Sequence, residues 1–126
     1  MSDLPFSHPP VEALLTTFND ALNRRDLPAM LALLTPDTVF ENTYPPPDGE
    51  RFSGLPSVAA YWEQFFLDSQ SSHIEIERLL TTPVWGVQQW TYHWTGLDGA
   101  SGHIRGIDLF LIRDDLIAAK YSYVKG

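Results

Sequence analysis

One acidic side chain stands where an enzyme would need a proton carrier. Asp108 interrupts the apolar run Gly106–Phe110, which has the composition of a β-strand. In the strand pairing we expect, Asp108 lies between Trp90 and Tyr121. A carboxylate between an indole and a phenol is poorly solvated, so it can accept or return a proton near neutral pH. The plainer alternative is that Asp108 only bonds a tyrosine hydroxyl or pairs with Arg105.

The expected neighbours of Asp108 depend on two turns. We expect Asp114–Asp115 to form a two-residue hairpin turn and Gly96 to face Gly102 across a second loop. Cross-strand pairing then gives one face of the sheet two rows, formed by Trp90, Asp108 and Tyr121 and by Tyr92, Gly106 and Tyr123. Gly106 leaves open space between the two tyrosines. A slip of one residue would turn these side chains to the other face.

Aromatic and polar side chains supply the rest of the expected site. A hydroxyl such as that of Tyr121 can donate a hydrogen bond to a ligand carbonyl or a developing oxyanion, although tyrosines are also common as ordinary strand residues. Asn42 either orients a ligand oxygen or bonds its own backbone. The large rings form a pocket wall or simply core. The expected ligand contacts are Phe18, Leu22, Phe40, Tyr44, Trp62, Phe66, Trp90, Tyr92, Phe110 and Tyr123.

Three helices are predicted in the first half of the chain. Apolar residues at helical spacing over Val11–Leu22 form one stripe. A second short helix, Asp26–Leu34, has Asp26 as its cap and is ended by a proline. The third begins near Pro56 and stops in the polar run Asp68–Ser72. These helices must supply one wall of the pocket.

Most of the remaining chain has β character. The short turn-like segments between the last four runs predict an antiparallel meander, and the prolines of Pro45–Gly49 predict a loop. The predicted strands are Thr38–Tyr44, His73–Thr81, Val84–Thr95, Gly102–Arg113 and Leu116–Val124. Together with the helices they predict one α+β domain spanning residues 1–126.

Composition excludes several classes of function. The 126 residues carry a net charge of −8 and no Cys, which argues against nucleic-acid and anionic-membrane partners and excludes thiolate chemistry. His8, His73, His93 and His103 show no metal-ligand spacing, and we expect no metal and no other cofactor. With no signal peptide in Met1–Pro10 and no long apolar run, we expect a cytoplasmic protein.

The opposite face of the expected sheet is half apolar and has no predicted cover. Its side chains are Val87, Gln89, Thr91, His93, Arg105, Ile107, Leu109 and Leu111. Three helices are too few to cover both faces, and an exposed patch of this kind is typical of a surface that joins two copies. We therefore expect a homodimer through this face, with shielding by the C-terminal strand or a loop as the alternative.

Four local segments, taken in their order and spacing, resemble a known family. They are Phe18–Asp26, Asp37–Asn42, Gly54, and Gly106–Phe110 with the acidic turn that follows it. With three helices, an early strand and a long meander, the chain resembles the nuclear transport factor 2-like superfamily. The branch is that of the SnoaL-like polyketide cyclases and their ketosteroid isomerase relatives. The resemblance covers about Val11–Gly126.

The resemblance implies an α+β fold with a definite shape. The sheet is cone-shaped, curved, antiparallel and partly mixed, and the three N-terminal helices pack on its concave face. A ligand pocket lies between helices and sheet, and a homodimer commonly forms through the convex face. The resemblance leaves the chemistry open, because the superfamily hosts isomerases, cyclases, dehydratases, hydrolases and non-enzymatic binders.

The resemblance also implies roles for particular residues. In the SnoaL-like cyclases an Asp on the penultimate strand acts as acid and base, which Asp108 matches, and a His on the preceding segment assists, for which His103 is nearest. Strict alternation puts these two on opposite faces unless a bulge at a neighbouring glycine intervenes. In the isomerases the base follows the first strand, where Glu41 and Asn42 stand. Parity favours Asn42 pointing inward, and an amide cannot act as a base.

The expected function is that of a small-molecule pocket protein. The first hypothesis is a cofactor-independent enzyme of isomerase or cyclase type that moves a proton through Asp108 on an apolar, oxygen-bearing ligand. A non-catalytic ligand-binding protein and a protein-interaction module are the alternatives. An open cavity with a convergent Asp and Tyr favours the first, a wholly apolar cavity the second, and a filled one the third.

Overall fold

The computed structural model describes residues 6–126. Part of Met1–Pro10, where we expect no signal peptide, lies outside the described residues. The elements, in chain order, are α1 Pro9–Asn23, α2 Leu27–Leu31, β1 Leu34–Glu41, β2 Arg51–Ser53, α3 Leu55–Leu67, β3 Ser69–Thr81, β4 Trp85–Gly96, β5 Ser101–Arg113 and β6 Leu116–Val124.

The strands form one six-stranded curved sheet in the order β2-β1-β6-β5-β4-β3. Strands β1 and β6 run parallel, and every other neighbouring pair is antiparallel. The predicted meander of the last four strands and the mixed α+β class are therefore confirmed. Strand β2 was not predicted, because three residues after a proline-rich loop are too few to show a strand pattern.

The helices pack against one face of the sheet, which we call the inner face. Phe18 of α1 is fully buried and meets the rings of Phe40 and Phe110 edge-on, at centroid distances of 6.2 and 6.3 Å. Leu15 and Met30 are also fully buried in this core. Phe40 and Phe110 come from strands β1 and β5, so one helix joins two parts of the sheet by apolar contact.

Several predicted boundaries differ from the structure. Helix α2 ends at Leu31, so Leu34 begins a strand, and the polar residues from Ser69 belong to β3. Arg25, in the left-handed region at φ 57°, donates hydrogen bonds to the backbone carbonyls of Phe66 and Ser69 and to the hydroxyls of Ser69 and Ser72. These long-range bonds satisfy a polar segment that local sequence reads as a loop.

The last hairpin forms at the predicted turn, but its register changes beyond it. Asp114 and Asp115 both have positive φ, at 56° and 61°, as a type I′ turn requires. A bulge between Leu111 and Ile112 then gives β6 one extra residue, Ala118. Asp108 therefore faces Ser122.

The predicted pairing of Asp108 with Tyr121 is consequently wrong, as is that of Gly106 with Tyr123. The bulge turns Tyr121 and Tyr123 to the uncovered side of the sheet, which we call the outer face. Between β4 and β5 the register differs from the prediction by two residues, so Gln88 faces Asp108 and Trp90 faces Gly106. Because a shift of two keeps the side-chain face, Trp90 still lies on the inner face.

Among residues 6–126, no helix is long and apolar enough to cross a membrane.

Candidate functional site

A cavity of about 110 Å³ lies between the helices and the inner face. Its wall is mostly aromatic, formed by Tyr61, Trp62, Phe65, Trp90 and Tyr92. Aliphatic side chains complete the apolar part, namely Leu22, Ile74 and Ile104. The predicted pocket is therefore present, although the space expected above Gly106 is not. The indole of Trp90 lies over that glycine, so closely that an added Cβ would stand 2.8 Å from the ring.

Asp108 is the buried carboxylate of this cavity, with 1% of its surface exposed. One carboxylate oxygen, Oδ2, accepts a hydrogen bond from Gln88 Nε2 at 2.9 Å. The other, Oδ1, accepts one from Ser122 Oγ at 2.6 Å. Polar donors therefore surround the carboxylate in place of the indole and phenol rings that the sequence predicts. Such donors fix the orientation of the carboxylate.

Lys120 brings a positive charge to the same end of the cavity. Its Nζ lies 3.6 Å from Asp108 Oδ1 and donates a hydrogen bond to Ser122 Oγ at 2.8 Å. The ammonium also lies 5.5 Å above the ring of Phe40 and 5.6 Å above that of Trp62. Contact with two aromatic faces and one carboxylate stabilises a cation that water can hardly reach, since only 11% of this side chain is exposed.

A chain of buried amides links this carboxylate to helix α1. Asn19 Nδ2 donates to Gln88 Oε1 at 2.7 Å, and Gln88 in turn donates to Asp108. All three side chains are buried. Because the bond from Asn19 fixes the orientation of the Gln88 amide, it presents the Gln88 NH₂ group to the carboxylate. The position of Asp108 thus depends on a helix that is remote from it in sequence.

The two tyrosines of the wall carry no charge at neutral pH. Burial raises the pKa of Tyr61, and a hydrogen bond to Asn42 opposes this rise only in part. Burial likewise raises the pKa of Tyr92, against smaller opposing contributions from Ser72 and Arg25. Both phenols therefore remain protonated and can act as hydrogen-bond donors.

Asn42 directly follows β1 and lines the cavity, on the inward side that parity predicts. Its Oδ1 accepts a hydrogen bond from the backbone N–H of Glu50 at 2.6 Å, which holds the loop between β1 and β2. Glu41 points the other way and pairs with Arg51 at 3.0 Å. The backbone-bonding alternative for Asn42 thus applies, and the Glu41 carboxylate does not line this cavity.

Six of the predicted site residues line the cavity, namely Leu22, Asn42, Trp62, Trp90, Tyr92 and Asp108. Phe18, Phe40 and Phe110 lie in the apolar core next to it. Phe66 is outside the cavity lining and carries the guanidinium of Arg25 above its ring at 5.4 Å. Tyr44 is 73% exposed and does not line this cavity, so its predicted ligand contact is wrong.

Three predicted site residues lie on the outer face. His103 pairs with His93 in a continuous register from Trp85 to Thr95, so no bulge brings it to the side of Asp108. Tyr121 and Tyr123 lie there because of the bulge in β6. The structure therefore contradicts an assisting role for His103 and a donor role for Tyr121 at this cavity.

The sequence prediction missed Lys120 and Ser122, which the same bulge turns inward. A signal was available, because Lys120 is the one charged residue in the run Leu116–Val124. A single charged side chain in a strand of a buried sheet is rarely buried without a partner of opposite charge. Its partner could not be found by counting back from the turn, because that count is off by one beyond Ala118.

Three histidines stand side by side across the outer face. His73 pairs with His93, and His93 pairs with His103, with the last two rings 6.1 Å apart. His93 Nε2 lies 3.2 Å from a carboxylate oxygen of Glu75. Over the described part of the chain, no three or more His, Cys, Asp or Glu side chains are gathered closely enough to hold a metal ion.

Comparison with known proteins identifies the family. Residues 15–120 match the family model described as the SnoaL-like domain. No curated protein sequence matches the chain.

Among similar solved structures is an NTF2-like protein of unknown function from Mesorhizobium loti, with 27% identity, a TM-score of 0.78, and coverage of 94% of this chain and 98% of that one. A protein named as a SnoaL-like polyketide cyclase, from Shewanella denitrificans OS-217, has 16% identity and a TM-score of 0.82, with coverage of 94% and 92%. An LEH-like epoxide hydrolase from M. tuberculosis has 17% identity and a TM-score of 0.79, with coverage of 92% and 83%. The fold is therefore that of the NTF2-like proteins.

Proposed function

Because the chain belongs to the SnoaL-like domain family, we propose that it is a cofactor-independent enzyme that moves a proton on a small, apolar, oxygen-bearing molecule. One observation carries this proposal. A fully buried carboxylate, Asp108, lines an aromatic cavity beside the Lys120 ammonium. The cyclase and epoxide hydrolase names of two structural neighbours agree with a pocket enzyme of this kind.

The proposed chemistry divides between the two charged groups. Asp108 takes a proton from a carbon next to the ligand carbonyl, so the C–H bond breaks and its electron pair forms an enolate. Lys120 has three N–H donors, and one of them is free to bond the oxygen on which negative charge develops. Return of the proton from Asp108 to a carbon completes an isomerisation and restores the carboxylate. Each step uses protein groups alone.

Proton exchange with solvent tests this proposal without knowledge of the natural substrate. We expect the protein in D₂O to place deuterium next to the carbonyl of small ketones such as cyclohexanone, which NMR detects. Asp108→Asn removes the base and should lower the exchange rate by on the order of 10²–10⁴-fold. Asp114→Asn, in the exposed turn, is the matched control and should leave the rate unchanged. Equal rates for Asp108→Asn and the natural protein would refute the assignment.

A non-catalytic binding protein is the second candidate, and one observation favours it. Both oxygens of Asp108 already accept hydrogen bonds from protein donors, from Gln88 on one side and Ser122 on the other. With 1% of its surface exposed, this carboxylate also has little room to approach a proton of a ligand. Ligand binding without any deuterium exchange would favour this candidate over the enzyme. The unfilled cavity lined by Asp108 and two tyrosines speaks against the interaction module, for which a filled cone is expected.

We also propose that the protein forms a homodimer through its outer face and acts in the cytoplasm. Trp85, Ile107 and Tyr123 point to that face and are 40%, 44% and 63% exposed. Exposed apolar residues on one sheet face are typical of a self-associating surface. Ile107→Glu should convert the dimer into a monomer in analytical ultracentrifugation. A monomeric natural protein at high concentration would contradict the dimer.

A further inference from the structure

The cavity wall is electrically neutral. Asp108 and Lys120 are its one acid and its one base, and each is the partner of the other at 3.6 Å. The wall tyrosines are protonated, because burial raises the pKa of both Tyr61 and Tyr92. A charged ligand would therefore enter a buried space without a free counter-charge, and burying an uncompensated charge is costly.

The cavity is also small. An apolar protein cavity of about 150 Å³ holds one benzene molecule, and this cavity measures about 110 Å³. The enclosed space therefore has room for no more than a single ring. A fused tetracyclic compound could enter only in part, and the rest would remain outside the aromatic wall.

The polar groups of the cavity call for a hydrogen-bond acceptor on the ligand. Lys120 uses one N–H on Ser122 and keeps another for a ligand. A free N–H of a buried ammonium is costly without a partner, so a ligand with an acceptor atom is favoured.

From these three observations we infer that the ligand is an uncharged, single-ring compound that carries a carbonyl or a similar oxygen acceptor. The inference names the substrate class of the proposed enzyme and rests on the same cavity. It excludes carboxylates, amines and fused polycyclic ketones as fully enclosed ligands.

Isothermal titration calorimetry with matched probes tests the ligand class. Cyclohexanone, cyclohexanecarboxylate and cyclohexylammonium share one ring and differ in charge, and a steroid ketone adds fused rings. We expect cyclohexanone to bind at least about tenfold more tightly than either charged probe, and the steroid ketone to bind more weakly than cyclohexanone. Tighter binding of a charged probe or of the steroid would overturn the inference.

Charge-changing variants provide the sharper test. Asp108→Asn leaves the ammonium without its partner and should reverse the preference towards cyclohexanecarboxylate. Lys120→Met leaves the carboxylate and should reverse it towards cyclohexylammonium. If either single variant is unstable, the matching probe should raise its melting temperature, and the other charged probe should not. The double variant is neutral and should keep the preference for cyclohexanone, as should Lys125→Met at an exposed site.

Failure of this inference can be told apart from failure of the proposed function. Cyclohexanone that binds without deuterium exchange contradicts the enzyme and supports the ligand class. Exchange on a fused polycyclic ketone, with no binding of cyclohexanone, supports the enzyme and contradicts the ligand class. Unchanged probe preference in both single variants contradicts the charge argument on which the ligand class depends.

Discussion

Two acid–base pairs on opposite faces of the sheet differ in what their charges can contribute. On the inner face, Lys120 lies 3.6 Å from Asp108, and these side chains are 11% and 1% exposed. On the outer face, Arg105 lies only 3.0 Å from Glu77, but these side chains are 44% and 29% exposed. The pair with the shorter distance is the one that water can reach.

This comparison shows that solvent access, more than distance, decides the weight of an ion pair. Water screens exposed charges and replaces a lost partner, so exposed pairs contribute little to stability. A buried charge has no such replacement, and the loss of its partner leaves it uncompensated. We therefore expect the inner pair to be sensitive to the loss of either partner, and the outer pair not to be.

The largest effect is expected from breaking the inner pair. Lys120→Met should lower the free energy of unfolding by about 3–5 kcal/mol, because it leaves the Asp108 carboxylate buried without a counter-charge. Urea denaturation measures the change. The double variant with Asp108→Asn should recover most of the loss. If Lys120→Met is as stable as the natural protein, the inner and outer ion pairs do not differ in what they contribute to stability.

Close packing on the inner face gives the next effect. In Gly106→Ala, the new methyl group would stand 2.3 Å from the backbone oxygen of Tyr123 and 2.8 Å from the Trp90 ring. Strand β6 and the indole must move, at a cost of about 1–3 kcal/mol in thermal or urea unfolding. Gly126→Ala meets nothing within 4 Å and is the control. Equal stability of the two variants would contradict the close approach.

A smaller effect is expected from the amide chain behind Asp108. Asn19→Ala removes the donor that orients Gln88 and should cost about 1 kcal/mol of unfolding free energy. It should also lower the rate of deuterium exchange, because the donor that holds Asp108 in place is then no longer fixed. Thr16→Ala, exposed on the same helix, should change neither. An exchange rate identical to that of the natural protein would reduce Asn19 to a packing role.

The smallest effect is expected on the outer face. Hydrogen bonds from Arg105 and Thr91 lower the pKa of Glu77 below its usual 4.5. Because folding favours its charged form, the stability it adds is present above pH 4.5 and is lost as the pH falls through the lowered pKa. Glu77→Gln should nevertheless leave the urea midpoint at pH 7 within experimental error. A loss as large as that of Lys120→Met would contradict the comparison.

The sequence alone was sufficient for most of the local elements and for the main acidic residue. Helical spacing predicted α1 and α3, turn-like segments between four β runs predicted the meander, and Asp114–Asp115 formed the expected turn. The predicted register between β4 and β5 was wrong by two residues. An error of two leaves the side-chain face unchanged, so Asp108 was still predicted on the correct face. These features depend on residues that are close in the sequence, or on the alternation of side chains between the two faces, which a register error of two residues does not change.

The tertiary structure alone decided the partners of Asp108. The extra residue Ala118 in β6 moved Lys120 and Ser122 to the inner face and Tyr121 to the outer face. Neither the bulge nor the parallel pairing of β6 with β1 can be recognised from local alternation. Ala118 and its neighbour Ala119 are small enough to fit either face of the sheet. Helix α1 adds Asn19 from a position 69 residues before Gln88. Contacts that join distant segments are set by how the whole chain packs, because the local pattern of each segment permits more than one register.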